Sequence, residues 1–191
     1  MIEQTETGAA VLAAIIEDIA ASSPSLLELG EQHAEYEALF WRPYLSLSVY
    51  TLYLSLQTFA DCVSRGVWET VSIEMLARSM GQGDRYAILG RQASKGRSGQ
   101  AGAVETLVAE GIVSHWRERK GTRTGHAFQV LTRLPVLTPI QVERFDRPLA
   151  EMHEWYLGAI RGFDLPAWRQ LEQKSLVPEA VKAFGRVWVG K

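Results

Sequence analysis

The residues of this chain that could act together chemically are cations. Arg117, Arg119, Lys120 and Arg123 crowd the stretch RERKGTR, and Arg85, Arg91, Lys95 and Arg97 crowd QGDRYAILGRQASKGRSG, with Ser98 and Gln100 at its end. Residues 1–60 carry eight acids and one base, a balance of −7, whereas residues 81–133 carry nine bases against four acids, a balance of +5. A net charge of −2 hides this asymmetry. Clustered guanidinium and ammonium groups neutralise phosphates and release condensed counterions, so the chemistry on offer is the gripping of a polyanion such as duplex DNA. Ser98, Gln100 and the amides of a helix starting there could take a phosphate, while Gln100 or Arg97 could reach base edges.

Other chemistries lack their parts. HEWYL at His153 opens like a zinc-protease helix, but Leu157 stands where the second histidine belongs. GRQASKGRSGQAG has no Gly-Lys-Ser/Thr order after a strand, so it is no P-loop, and its glycines do not match the dinucleotide fingerprint. Cys62, the one cysteine, lies in an apolar helical stripe and predicts a buried, inert thiol. The acid pairs Glu17/Asp18 and Glu151/Glu154 read as solvated helix faces. His115 and His126 face each other across a predicted hairpin, yet two histidines without a third ligand make a poor zinc site. The expectation is a protein that is not an enzyme and needs no cofactor or metal.

The cations must be positioned by neighbouring elements, and these are legible in part. Thr7–Ser22 and Leu26–Trp41 read as acidic N-terminal helices, the second ending before Pro43. Val49, Leu52, Tyr53, Leu56, Phe59, Ala60 and Val63 form a wide apolar stripe on a core helix closed by Gly66. VWETVS is β-prone. Ser72 then caps a short helix with Ile73, Leu76, Ala77 and Met80 on one face, ended by Gly81. Residues 82–99 are a loop with one helical turn at Tyr86–Leu89, and a third helix runs from Gln100 to its stop at Gly111. Two strands joined by the cationic turn come next, with Trp116 and Phe128 as inward packing residues. Thr138, Pro139 and Gln141 make a capping box, and Pro148 divides the adjoining stretch into a short helix and one from about Arg147 to Ile160. Across this stretch Phe145, Leu149, Met152, Tyr156 and Ile160 repeat at four, three, four and four, a stripe that either packs on the core or pairs two copies. The tail reads as two further short helices.

Helix, strand, helix, loop, helix, strand, turn, strand is the order of a winged helix-turn-helix. VSIEMLARSMG and AVETLVAEGIVSHWRERKGTRTGHAFQV resemble winged-helix transcription regulators and bacterial replication-initiation proteins of the DnaD-like and replication-initiator type. The resemblance covers about residues 45–135. It implies a mostly α fold with a small β-hairpin: a winged-helix core over 44–135, an acidic helical extension over 1–43 and a helical extension over 136–191 that packs on the core or a dimer partner. It also implies double-stranded DNA as partner, in regulation of transcription or initiation of replication. The alternative is a winged-helix scaffold that binds protein without DNA. The roughly 18 residues between Gly81 and Gln100 exceed the three or four of a compact turn, so either the third helix or the basic loop makes the main contacts.

Hydrophobic residues at 47% and charged residues at 22% fit a globular domain and exclude a disordered chain. The apolar run Ala9–Ile16 has no basic lead-in and is too short to span a bilayer, so no signal peptide or membrane segment is predicted and a cytoplasmic location is expected.

Overall fold

A computed structural model describes residues 33–67, 71–81, 86–90, 102–172 and 184–190. The predicted helix Thr7–Ser22, the first part of Leu26–Trp41 and residues 173–183 of the tail lie outside these residues, as do 82–85 and 91–101. In chain order the elements are α1 (His33–Tyr36), a π-helical turn (Glu37–Trp41), α2 (Arg42–Leu45), α3 (Leu47–Ser64), β1 (Val71–Ser72) and α4 (Ile73–Ser79). Next are α5 (Tyr86–Leu89), α6 (Ala103–Ala109), β2 (Val113–Lys120), β3 (Arg123–Leu131), α7 (Pro139–Val142), α8 (Arg147–Ala159), α9 (Leu165–Arg169) and β4 (Phe184–Gly190). Helices predominate, with one four-stranded sheet. Among the described residues no helix is long and apolar enough to cross a membrane.

The chain divides into two compact units, Glu37–Leu134 with Ala183–Lys191, and Met1–Tyr36 with Pro135–Lys182. In the first, α3 is the central helix. Its predicted stripe is buried from Val49 to Ala60, and it stops where Gly66 takes φ +71° and the Val67 amide bonds back to Cys62 O at 2.9 Å. Helices α4 and α6 and strands β3 and β4 pack on it. The Ser72 hydroxyl caps α4 by accepting the Met75 amide at 3.0 Å, as predicted. Helix α6 begins at Ala103 after an extended Gly102 rather than at Gln100, and ends at Gly111 with φ +72°. Gln57 reaches from α3 to the end of β3, donating to Leu131 O at 3.1 Å and Thr132 O at 2.8 Å.

The sheet order is β1-β4-β3-β2, larger than the two-stranded hairpin and first strand expected from sequence. Strand β4 lies parallel to β1 and antiparallel to β3, so residues 184–190 are a strand where the sequence predicts a helix. Its composition explains the difference. FGRVWVG places Arg186 and Trp188 on one face and Val187 and Val189 on the other, and both valines are fully buried. A β-branched, aromatic run of period two, with Trp188 also buried, fits a strand better than it fits a helix.

Two further departures lie near the start of this unit. Helical residues do not stop at Trp41 but continue through α2 to Leu45, because Pro43 falls in that helix's first turn, where a missing N–H costs nothing. The π-helical turn buries Glu37, Phe40 and Trp41, and the Glu37 carboxylate accepts the Leu134 amide at 2.9 Å. Between α2 and α3, Ser46 has φ 70° and ψ 157°, a region open essentially to glycine alone. Relieving that strain outweighs glycine's extra unfolded-state entropy. Ser46→Gly is therefore expected to stabilise the unit by about 1 kcal/mol, seen as a higher urea midpoint; a lower midpoint would show the backbone there to be unstrained.

The second unit is organised around the buried extended segment Pro135–Thr138. The Tyr36 hydroxyl accepts the Leu137 amide at 2.8 Å, and the Trp168 indole donates to Leu137 O at 2.8 Å. Tyr36 Oη also lies 2.6 Å from His153 Nε2. The predicted capping box of Thr138 and Gln141 is formed, and Asp146 and Asp164 cap α8 and α9 by accepting the Leu149 and Ala167 amides. The buried residues of α8 are His153 and Leu157, not the predicted stripe from Phe145 to Ile160, of which Met152 is 40% exposed. Counting His153 as polar hid the true inner face, where its ring meets Tyr36 edge-on at 5.5 Å and Trp168 at 5.3 Å.

Candidate nucleic-acid interface

Strand alternation determines where the hairpin sends its cations. β2 and β3 pair in unbroken register from Val113↔Val130 to Lys120↔Arg123, around a two-residue loop in which Gly121 takes φ +59°. A positive φ at that first loop position is what tight hairpin turns require. On one face stand Arg117 and Arg119 with His115, His126 and Phe128; on the other stand Lys120 and Arg123 with Trp116 and Glu118. All four predicted cations of the hairpin are exposed. They occupy both faces of a thin ribbon end rather than one surface, because side chains in a strand alternate. Arg119 Nε donates to Gly121 O at 2.9 Å, which steadies its guanidinium beside the tip.

The hairpin's single acid is already bound. Arg186 of β4 donates to both carboxylate oxygens of Glu118, at 2.9 and 3.0 Å, and its guanidinium carbon sits 5.5 Å from the centroid of the Trp116 ring. Trp116 is 36% exposed, so it is not the inward packing residue predicted, whereas Phe128 is fully buried as expected. Next to it Lys120 Nζ lies 5.3 Å over the ring of Trp188. Trp188 itself is stacked against the backbone of Gly125, where a Cβ would come 2.7 Å from the indole and 2.5 Å from Val189 O. Only glycine lets β4 and its tryptophan close on β3 there. Arg186, Lys120 and the two tryptophans thus form a cation–π layer on this face.

Of the sequence-predicted site residues, Arg117, Arg119, Lys120 and Arg123 are brought together. Arg85, Arg91, Lys95, Arg97, Ser98 and Gln100 lie outside the described residues. The one helical turn predicted within their loop is α5, with Ile88 buried. The helix start expected to seat a phosphate begins at buried Ala103 and carries Glu105 in its first turn, an acid that disfavours an anion. Behind the hairpin, Glu110 accepts the Tyr44 hydroxyl at 2.9 Å, which ties the end of α6 to α2. Arg186 and Trp188 were missed because the tail reads as helical; the alternation of FGRVWVG is the signal that identifies them.

Away from the hairpin, an open groove of about 480 Å³ lies between α3 and α4, lined by residues including Thr51, Leu54, Phe59, Met75, Arg78 and Ser79. Its one charged lining group is Arg78, and it carries no paired acid and base for proton transfer. Among the described residues no three histidine, cysteine or acidic side chains converge as metal ligands. The chain matches no protein-family model, no curated protein and no solved structure.

Proposed function

We propose that the unit formed by Glu37–Leu134 and β4 is a winged-helix module that holds duplex DNA, with the β2–β3 hairpin as its wing. The observation that carries this reading is the hairpin's charge: four exposed cations at its end, and its only acid neutralised by Arg186. Lys120 and Arg123 are direct cross-strand partners, and like charges placed opposite one another destabilise a hairpin. A phosphate backbone lying across the tip removes that repulsion and adds counterion release. The sequence adds Arg85, Arg91, Lys95, Arg97, Ser98 and Gln100 as further candidate DNA contacts. The resemblance carried by the sequence supports a role in transcription or in replication initiation. A homodimer would let two such modules address two half-sites.

Random-sequence duplex titrated at several salt concentrations tests this. Binding is expected at low salt, and affinity should fall steeply as salt rises, by about 0.9 in logarithmic slope for each phosphate neutralised. No measurable binding at low salt would refute it. The α3/α4 groove favours the other reading, a module that docks protein, since Leu54 and Met75 leave 40% and 41% of their surface exposed beside it. Under that reading duplex DNA has no effect on the chain, and substituting Leu54 or Met75 abolishes capture of its partner.

A further inference from the structure

On the hairpin face that carries Arg117 and Arg119, His115 Nε2 and His126 Nδ1 are 2.9 Å apart, and their rings stack at 5.1 Å. Phe128 stacks beneath His115 at 4.8 Å and 15°, which holds the pair in place, and Arg117 is the direct cross-strand partner of His126. A contact of this length between two ring nitrogens is a hydrogen bond, with one nitrogen protonated and the other bare. The intact pair therefore exists in two charge states, neutral or carrying one shared proton. Both rings are half-buried.

We propose that His115 and His126 are a proton-dependent part of the polyanion contact, so that duplex DNA binds with uptake of a proton by this pair. The proposal rests on the reading of the hairpin as a DNA-binding surface. In the free protein His115 is held below the usual histidine range, first by burial and then by His126 and Arg117. A phosphate backbone lying along Arg117 and Arg119 supplies the opposite charge, which favours the imidazolium form. Linkage then runs both ways: the anion raises proton affinity, and the proton raises anion affinity by the same factor. Other titratable and charged side chains on the packed elements are Glu105 on α6, Tyr50, Tyr53, Asp61 and Cys62 on α3, and Arg186 on β4. Arg186 is bound to Glu118 on the opposite sheet face and Asp61 is ion-paired with Arg65. Opposite His126 and Phe128, β4 presents Val189 and Val187. On its own face the shared proton meets the like charge of Arg117, which a bound anion offsets.

Calorimetric titration of the full chain with random-sequence duplex, near neutral pH in two buffers of different ionisation heat, counts the protons taken up. Uptake approaching one proton per bound chain is expected, with affinity tightening about tenfold between pH 7.5 and pH 6.0. His115→Gln and His126→Gln should each abolish the uptake and flatten the pH dependence. Duplex binding without proton uptake, or uptake that persists in both variants, overturns this proposal and leaves DNA binding standing. Absence of binding at every pH and at low salt overturns the DNA reading, and this proposal with it. Should a variant fail to fold, the imidazole ring-proton shifts of the wild-type chain decide: a rise in the pair's titration midpoint on adding duplex is expected, and an unmoved midpoint overturns the proposal.

Discussion

Acidification from pH 7 to about pH 4 is expected to cost the chain roughly 3 kcal/mol through His153 alone. Burial lowers the pKa of its imidazole to about 4, because the charged ring would lose its hydration. In the unfolded chain the same ring titrates near 6.5. Between these values the unfolded state binds the proton and the folded state does not. The stability that rests on a neutral His153 is complete above about pH 6.5 and is lost as pH falls towards 4. Tyr36 explains why a histidine serves here. Burial raises the pKa of its hydroxyl well above the usual tyrosine range; having accepted the Leu137 amide, this hydroxyl keeps its own proton for His153 Nε2. Urea unfolding of the wild type and of His153→Gln, which preserves an acceptor but does not titrate, measures the effect. The stability difference between pH 7 and pH 4.5 should be larger in the wild type by about 2 kcal/mol or more, as the proton linkage of the histidine requires. Equal differences in the two proteins would show that His153 does not titrate in this window.

Gly102→Ala is expected to be nearly as damaging, at about 3 kcal/mol, the upper part of the usual range for overpacking a core. A Cβ at this position would fall inside contact distance of Gly90 N, Ile88 O and Leu89 C. All three are backbone atoms, which cannot swing aside as a flexible side chain can. Relief requires α5 to part from α6, withdrawing Ile88 and Leu107, both fully buried, from the core. The damage extends to the hairpin, since β2 leaves α6 through the Ile112 amide bonded to Leu107 O at 2.9 Å. A loss of several degrees in melting temperature checks this, and an unchanged melting temperature would mean that α5 and α6 can separate at no cost to the core.

Much of the first unit was legible because its information is local. The stripe of α3, the Ser72 cap and the stops at Gly66 and Gly111 are each written within a few residues, as is the capping box at Thr138 in the second unit, and each is formed. What could not be read depends on distant partners. Strand β4 carries its alternation locally, but its place between β1 and β3 is not signalled in its own seven residues. The inward face of α8 turns on His153 being satisfied by Tyr36, 117 positions earlier. At the site, the cations of the turn were evident from composition, but their distribution over two faces required the strand register. The neutralisation of Glu118 required Arg186, and so required β4.

The slope of duplex affinity against salt, measured side by side for the wild type, Arg117→Gln/Arg119→Gln and Lys120→Gln/Arg123→Gln, tests the central claim most directly. Each pair lies on its own hairpin face and all four side chains are exposed, although Lys120→Gln also removes the cation over Trp188. If both faces of the ribbon end grip phosphates, each double substitution should lower the slope by about 2 and weaken binding at every salt concentration. Slopes identical to wild type in both variants would contradict the claim and remove the hairpin from the contact.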